Sequence, residues 1–314
     1  MKEEIGGYFE LDYCGKGEYH KNGIGVNLAR NALIYIIKSK KIKTLYVPYF
    51  LCDSVKTASE FCNVIYYKIN KYFLPDFDKS LGKNDYIYIV NYFGMFSNLQ
   101  INKLKLEYKN IIIDNVQAFF QMPCNGVDTI YSCRKFFGVP DGAYVYTDSI
   151  INEKLEKDFS LNRVKHILGR CEENASKYYD EYRKNEELFE SLPLKQMSNI
   201  TKTILSGIDY KLVKKKRTDN FKYLNENLRN INLLKIKNIS GAFAYPLYIK
   251  NAKKIRQNLI KNKVYIPVLW PNVIEDNKDN VAYEYASNIL VLPCDQRYGL
   301  EEMKKIVKII KECC

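Results

Sequence analysis

Short, unbroken apolar runs in the first half of the chain constrain its fold more than any other feature. Residues 44–49, 64–69, 86–92, 111–113, 129–132 and 143–147 are of strand length and rich in Ile, Val and Tyr. Several lack the apolar–polar alternation of a sheet with one wet face, which marks strands covered on both sides. Helical spacing lies between some of them. Leu28, Ala32, Leu33, Ile36 and Ile37 recur on one helical face, and residues 99–108 form a second helical stretch. This alternation predicts an α/β fold with a central, mostly parallel sheet.

Beyond residue 152 the pattern changes. Residues 152–190 are helical, charged and rich in Tyr, and residues 219–228 place Phe221, Leu224 and Leu228 on one helix face. The tail then reads strand–helix–strand–helix over 241–249, 252–262, 289–292 and 300–311, the economy of a small α+β unit. Polar residues and a basic run interrupt the periodicity near 200–220. The expected division is a large α/β domain over 1–210 and a small C-terminal α+β domain over 211–314.

Composition narrows the function. Lys plus Arg exceeds Asp plus Glu by 49 − 36 = 13, a basic balance that suits phosphate or merely spreads lysines over wet faces. The dense run Lys214-Lys215-Lys216-Arg217 reads as a solvated face. No basic–aromatic signature accompanies it, so no nucleic-acid partner is expected. Nine cysteines, an odd count with no Cys-x-x-Cys pair and only His20 and His166 to supplement them, support neither structural zinc nor a disulfide framework. Free thiols in a reducing cytosol are the expectation. No apolar run reaches eighteen residues, so no membrane span is expected and the predicted location is cytoplasmic.

Chemistry concentrates in one stretch. Asp114 ends the apolar strand Ile111-Ile112-Ile113, and Gln117 follows three residues later. Ser132 and Lys135 follow a second strand, with Gly138 and Asp141-Gly142 behind them. In an open α/β sheet, ligands bind beyond the carboxyl ends of strands, where Asp114 would stand. A lysine, a strand-end carboxylate and a hydroxyl in this arrangement suit pyridoxal 5'-phosphate (PLP). The lysine amine condenses with the cofactor aldehyde, the carboxylate keeps the ring nitrogen protonated, and the serine donates to the phosphate. Phosphate also needs free backbone N–H groups at a helix start, which Ala29-Arg30-Asn31 offer.

These residues resemble the DegT/DnrJ/EryC1/StrS sugar aminotransferases, PLP-dependent enzymes of the aspartate-aminotransferase fold. Leu28-Ala29-Arg30-Asn31-Ala32-Leu33 is similar to the family's Ser-Gly-Thr-x-Ala-Leu phosphate turn, with Ala29 and Arg30 where Ser-Gly is usual. Val47-Pro48 leading to Cys52 resembles the segment before the ring-stacking residue. Asn91-Tyr92-Phe93-Gly94 sits where the family has a strand ending in Gly. Asp114-Asn115-Val116-Gln117 matches its Asp-x-x-His/Gln, and Ser132-x-x-Lys135 is similar to the Ser-x-x-Lys of the wider fold. Leu292-Pro293 and Leu300-Glu301-Glu302-Met303 resemble its ending. The resemblance implies PLP fold type I, with Lys135 as the catalytic lysine. It implies cofactor contacts from Ala29, Arg30, Asn31, Cys52, Asp114, Gln117 and Ser132, and from Gln196 across a homodimer interface. It further implies amino transfer from glutamate to a nucleotide-linked keto-sugar in polysaccharide or secondary-metabolite biosynthesis.

Two other classes compete. One is a different PLP reaction on this fold, such as dehydration, decarboxylation or desulfuration; retention of a lysine argues against the sugar dehydratases that carry histidine there. The other is a non-catalytic regulator or nucleic-acid binder, against which the intact Asp114/Lys135 pair weighs. Among other residues, His20 reads as a satisfied loop histidine and Trp270 as core. His166 with Arg163 and Arg170 reads as one basic helix face, and Tyr178, Tyr179 and Tyr182 as helix packing or a subunit interface.

Overall fold

Ile111–Asp114 and Asp128–Ser132 are buried at every position, as strands covered on both faces must be. In the computed structural model, which describes residues 10–13 and 15–313, they form the centre of an eight-stranded sheet. Its strands are β1 (Ile24–Val26), β2 (Thr44–Pro48), β3 (Asn63–Ile69), β4 (Pro75–Asp76), β5 (Asp85–Val90), β6 (Ile111–Asp114), β7 (Asp128–Ser132) and β8 (Ala143–Tyr146). Their spatial order is β1-β8-β7-β6-β5-β2-β3-β4. The run from β7 through β6, β5 and β2 to β3 is parallel. Strand β8 runs antiparallel to both β7 and β1, and β4 antiparallel to β3. The chain winds one way from β2 to β3 and the other way from β5 through β6 to β7. The winding direction switches between the carboxyl ends of β2 and β5, the point at which such a topology places ligands.

Helices cover both faces. Helix α1 (Ala29–Lys40) buries seven consecutive residues, Asn31 to Ile37, so it is a wrapped core helix and not the one-faced amphipath that its spacing predicts. Its N-cap residue, Leu28, supplies no side-chain cap, which leaves the first N–H groups open. Helix α2 (Asn98–Tyr108) is closed by a reciprocal Ser97/Gln100 capping box. There follow α3 (Lys165–Glu172), α4 (Tyr179–Leu188), α5 (Asn199–Ser206) and α6 (Tyr210–Leu228). The C-terminal part adds β9 (Tyr245–Tyr248), α7 (Ala252–Lys261), α8 (Pro271–Asp276), α9 (Asn280–Asn288), β10 (Ile289–Leu292) and α10 (Leu300–Lys311). Strands β9 and β10 pair antiparallel, and α6, α7 and α10 pack around them in a second core that includes Phe221, Leu259, Leu290 and Met303. Trp270, Val273 and Tyr285 join the first core instead. Trp270 lies 4.8 Å from the Phe50 ring, the packing role expected of it.

Two basic segments differ from expectation. Lys214, Lys215 and Lys216 lie in α6, but Arg217 turns inward and is only 2% exposed. Arg163 does not share a helix with His166: it ends a separate 3₁₀ turn, is buried, and pairs with Asp158 at 2.7 Å. A helical wheel cannot anticipate either, because the partners are distant in sequence or off the helix.

His20 is fully buried. One ring nitrogen lies 2.8 Å from the Phe119 carbonyl oxygen and the other 3.1 Å from the Tyr146 hydroxyl. Burial pushes its pKa down to about 4 from the ordinary 6.5, against the pull of the Phe119 carbonyl. The folded state therefore refuses a proton that the unfolded chain accepts, and stability falls as pH drops from about 6.5 towards 4. The expected contribution lost across that window is about 3 kcal/mol. Urea unfolding at pH 7 and pH 5 checks this, since His20→Gln removes the His20 part of the pH slope.

Among the described residues no helix is long and apolar enough to cross a membrane, and no cluster of His, Cys, Asp and Glu is placed to hold a metal. The seven described cysteines are free thiols; Cys14 and Cys314 lie outside the described residues.

Candidate active site

Asp114, the last residue of β6, is 4% exposed. Its Oδ1 accepts the Val116 N–H at 2.8 Å and its Oδ2 the Tyr88 hydroxyl at 2.5 Å. Burial pushes the carboxyl above its ordinary pKa, while the Tyr88 hydroxyl, the Val116 N–H and the Lys135 ammonium pull it back. A cation beside this group would tilt the balance to the anion.

Gln117 is oriented by an unusual turn. After β5 the chain passes through Asn91 into Phe93 and Gly94, both in the left-handed region at φ 56° and 75°. For a bulky residue such as Phe93 this costs on the order of 1 kcal/mol. The turn aims the Phe93 N–H at Gln117 Oε1, 2.7 Å away. The other end of the amide, Nε2, is then the free donor. It is buried and has no partner among the described residues. A buried donor without an acceptor is costly unless a ligand supplies one.

Lys135 lies on the loop after β7, beyond Ser132, and is exposed, with its ammonium 5.6 Å from the Phe243 ring centroid. The carbonyl of the next residue, Phe136, is gripped twice. Arg217 donates to it at 3.0 Å and Gln296 Nε2 at 2.7 Å. Arg217 also bonds Gln296 Oε1 at 2.6 Å and the Ala242 carbonyl at 2.9 Å, and stacks on the Phe136 ring at 4.5 Å. The lysine loop is thereby tied to α6 and the C-terminal part.

Charge interactions place the remaining residues. Arg30, at the start of α1, has its pKa lowered by burial, against the fields of Cys52, Glu190 and Glu186 and with that of Arg134. Cys52 in turn is felt by Tyr88. The start of α1 thus feels the segment after β2 and the Lys135 loop, and Asp114 at the end of β6 feels Lys135. Asn31 and Gln196 are engaged elsewhere. Asn31 Nδ2 donates to Asn27 and to the carbonyls of Leu192 and Pro193, while Gln196 Nε2 donates to the Leu155 carbonyl at 3.1 Å. Sequence reasoning missed Tyr88, Phe93 and Arg134. A tyrosine inside a doubly buried strand was the available signal for Tyr88, since its hydroxyl needs a partner. Asp141, prominent in the sequence, anchors α5 by accepting Ser198 N–H at 2.9 Å and Ser198 Oγ at 2.7 Å.

A cavity of about 750 Å³ lies between α3 with the segment that follows it and the C-terminal part. His166 and Arg170 of α3, Tyr178, Tyr179 and Tyr182 line one wall, and Lys263, Arg297, Tyr298 and Lys305 the other. Ile167, beside His166, lies against Gly138, and Arg297 follows the Gln296 that holds Phe136. Tyr178 packs against Gly169 of α3 and Tyr182 against the His166 ring at 5.7 Å, the helix packing expected of them, and both also line this chamber.

Sequence comparison finds no matching protein-family model and no matching curated protein. Solved structures do match. S. venezuelae DesV, in complex with a ketimine intermediate, aligns over 93% of this chain and 84% of its own at TM-score 0.65 and 13% identity. A DegT DnrJ EryC1 StrS aminotransferase from Brucella abortus aligns over 92% and 85% at TM-score 0.61 and 14% identity. NtdA from Bacillus subtilis, with bound PMP, aligns over 92% and 73% at TM-score 0.64 and 17% identity. The fold is that of the sugar aminotransferases. It matches the PLP fold type I across nearly the whole chain, and the mostly parallel eight-stranded sheet is consistent with that match.

Proposed function

We propose that this chain is a PLP-dependent aminotransferase of the DegT/DnrJ/EryC1/StrS type that moves an amino group from glutamate to a nucleotide-linked keto-sugar. The observation that carries the reading is the unpartnered, buried Nε2 of Gln117, presented three residues after the buried carboxylate of Asp114. That is the donor and acceptor pair which the phenolic oxygen and ring nitrogen of PLP require. The donor set fits the group: Asp114 for the nitrogen, Gln117 for the phenolic oxygen, Ser132 and the open N–H groups of Ala29, Arg30 and Asn31 for the phosphate, Lys135 for the anchor. Cys52, in the segment after β2, is the residue that would face the ring. Gln196 falls outside it while its amide is bonded to Leu155.

When bound, PLP supplies an electron sink and a carrier for the amino group. The chain's own residues do the rest. Asp114, as an anion, holds a proton at the ring nitrogen. Lys135 Nζ anchors the cofactor, and when freed it serves as the base that takes the substrate's α-proton and returns it. Arg217 and Gln296 hold the Phe136 carbonyl and so limit where that amine swings. The basic, tyrosine-lined chamber supports an acceptor carrying phosphates and a flat ring, because guanidinium and ammonium groups bind the former and aromatic faces the latter. The exposed Phe159, Leu161 and Leu168 support a homodimer with sites between subunits.

Incubation with PLP, glutamate and a panel of nucleotide-linked keto-sugars tests the reading. The expected result is glutamate-dependent loss of the bound cofactor's visible absorbance, formation of 2-oxoglutarate, and recovery of the absorbance on addition of the right sugar. A protein that stays colourless with PLP contradicts it. Gln117→Leu, which keeps the volume and removes the donor, is expected to weaken PLP binding about tenfold, the scale of one buried hydrogen bond, as measured by equilibrium dialysis.

A further inference from the structure

Tyr88 and Asp114 meet across the β5–β6 pair. In that parallel register Tyr88 stands opposite Ile112, and Val90 opposite Asp114. Tyr88 is therefore two residues back along its strand and on the same sheet face as Asp114. Such diagonal neighbours are reached only by long or aromatic side chains. The phenol spans the gap, and its hydroxyl donates to Oδ2 at 2.5 Å. With the Val116 N–H on Oδ1, each carboxylate oxygen has one fixed donor, and the carboxylate plane is set from two directions. Each oxygen keeps a lone pair for a further donor. Burial raises the phenol's own pKa well above its usual value, so the hydroxyl stays a donor throughout the working pH range.

We propose that Tyr88 is a positioning residue that holds Asp114 as an oriented anion toward the ring nitrogen of the cofactor, and so sets how tightly a ring bearing that nitrogen is bound. This rests on the PLP reading above. Tyr67 provides the contrast. It is equally buried, on the next strand but one, and its hydroxyl donates at 2.8 Å to the Tyr88 carbonyl, a backbone group. A tyrosine with a purely structural hydroxyl therefore sits beside the one assigned to the site.

The test measures equilibrium binding of two probes, PLP and its 1-deaza analogue, in which a CH group replaces the ring nitrogen. Three proteins are compared: the unaltered chain, Tyr88→Phe and Tyr67→Phe, each checked for folding by thermal unfolding. Loss of a hydrogen bond to a charged group predicts that Tyr88→Phe weakens PLP binding about tenfold or more. It should leave the analogue's affinity within about twofold of the unaltered chain's. Tyr67→Phe should leave the ratio of the two affinities unchanged. The inference is overturned if Tyr88→Phe binds PLP as the unaltered chain does, or loses both probes equally. An unaltered chain that binds neither probe overturns the PLP reading itself, which distinguishes that failure from this one.

Discussion

Lys135→Ala is expected to lower glutamate-dependent amino transfer by at least about 10³-fold while leaving the fold intact. The size follows from the two tasks assigned to one nitrogen. Positioned proton transfer alone contributes about 10² to 10⁴ in rate, and loss of the covalent anchor removes the amine exchange through which the donor enters. Retention of the fold follows from the residue's surroundings. Lys135 is exposed, with its ammonium 5.6 Å from the Phe243 ring centroid, so removing it should change stability by less than about 0.5 kcal/mol. Steady-state kinetics and thermal unfolding on the same sample check both halves. A variant as active as the unaltered chain would show that the reaction does not pass through this lysine.

Arg217→Met is expected to produce the largest loss of stability, about 3 kcal/mol or more. The guanidinium is buried, and three of its partners, the carbonyls of Phe136 and Ala242 and the side chain of Gln296, keep their polarity when it goes. Removing one member of such a buried set leaves the others unpaired in a medium that penalises them. Burial lowers the Arg217 pKa to about 10, so the group is charged at neutral pH and the bonds are charge-assisted. Lysine is a poor substitute, since a single ammonium cannot reproduce the planar fork. Denaturant unfolding measures the loss. Because Phe136 neighbours Lys135, any Arg217→Met protein that remains folded should also show a lowered kcat with a smaller change in KM for glutamate. A solvated Arg217 would produce neither effect.

The sheet was legible because its strands carry their burial in their composition. The run 111–113 reads as a doubly covered strand and is one, and 289–292 is found as β10 with the same bounds. Strand β1 escaped notice because three residues, Ile-Gly-Val, make no periodic pattern, and their pairing with Val145, Tyr144 and Ala143 is supplied by the fold. Helices α5 and α9 were hidden because their starts depend on side chains whose capping role is local and polar, Ser198 and Asp279. At the site, the spacing of Asp114, Gln117, Ser132 and Lys135 pointed to one chemistry without coordinates. What orients Gln117 did not appear there. Nothing in Asn-Tyr-Phe-Gly marks Phe93 as the left-handed residue that aims its N–H at the amide. Arg217 was misread for a related reason. Three lysines before it imply water, and its partners lie 25, 79 and 81 residues away along the chain.

The most direct measurement is chemical. The chain is incubated with PLP, reduced with borohydride, digested and mapped by mass spectrometry. The account predicts a reduced pyridoxyl group on the ε-nitrogen of Lys135, blocked when Lys135 is replaced by arginine. A label on other lysines with residue 135 unmodified, or no label at all, would contradict it.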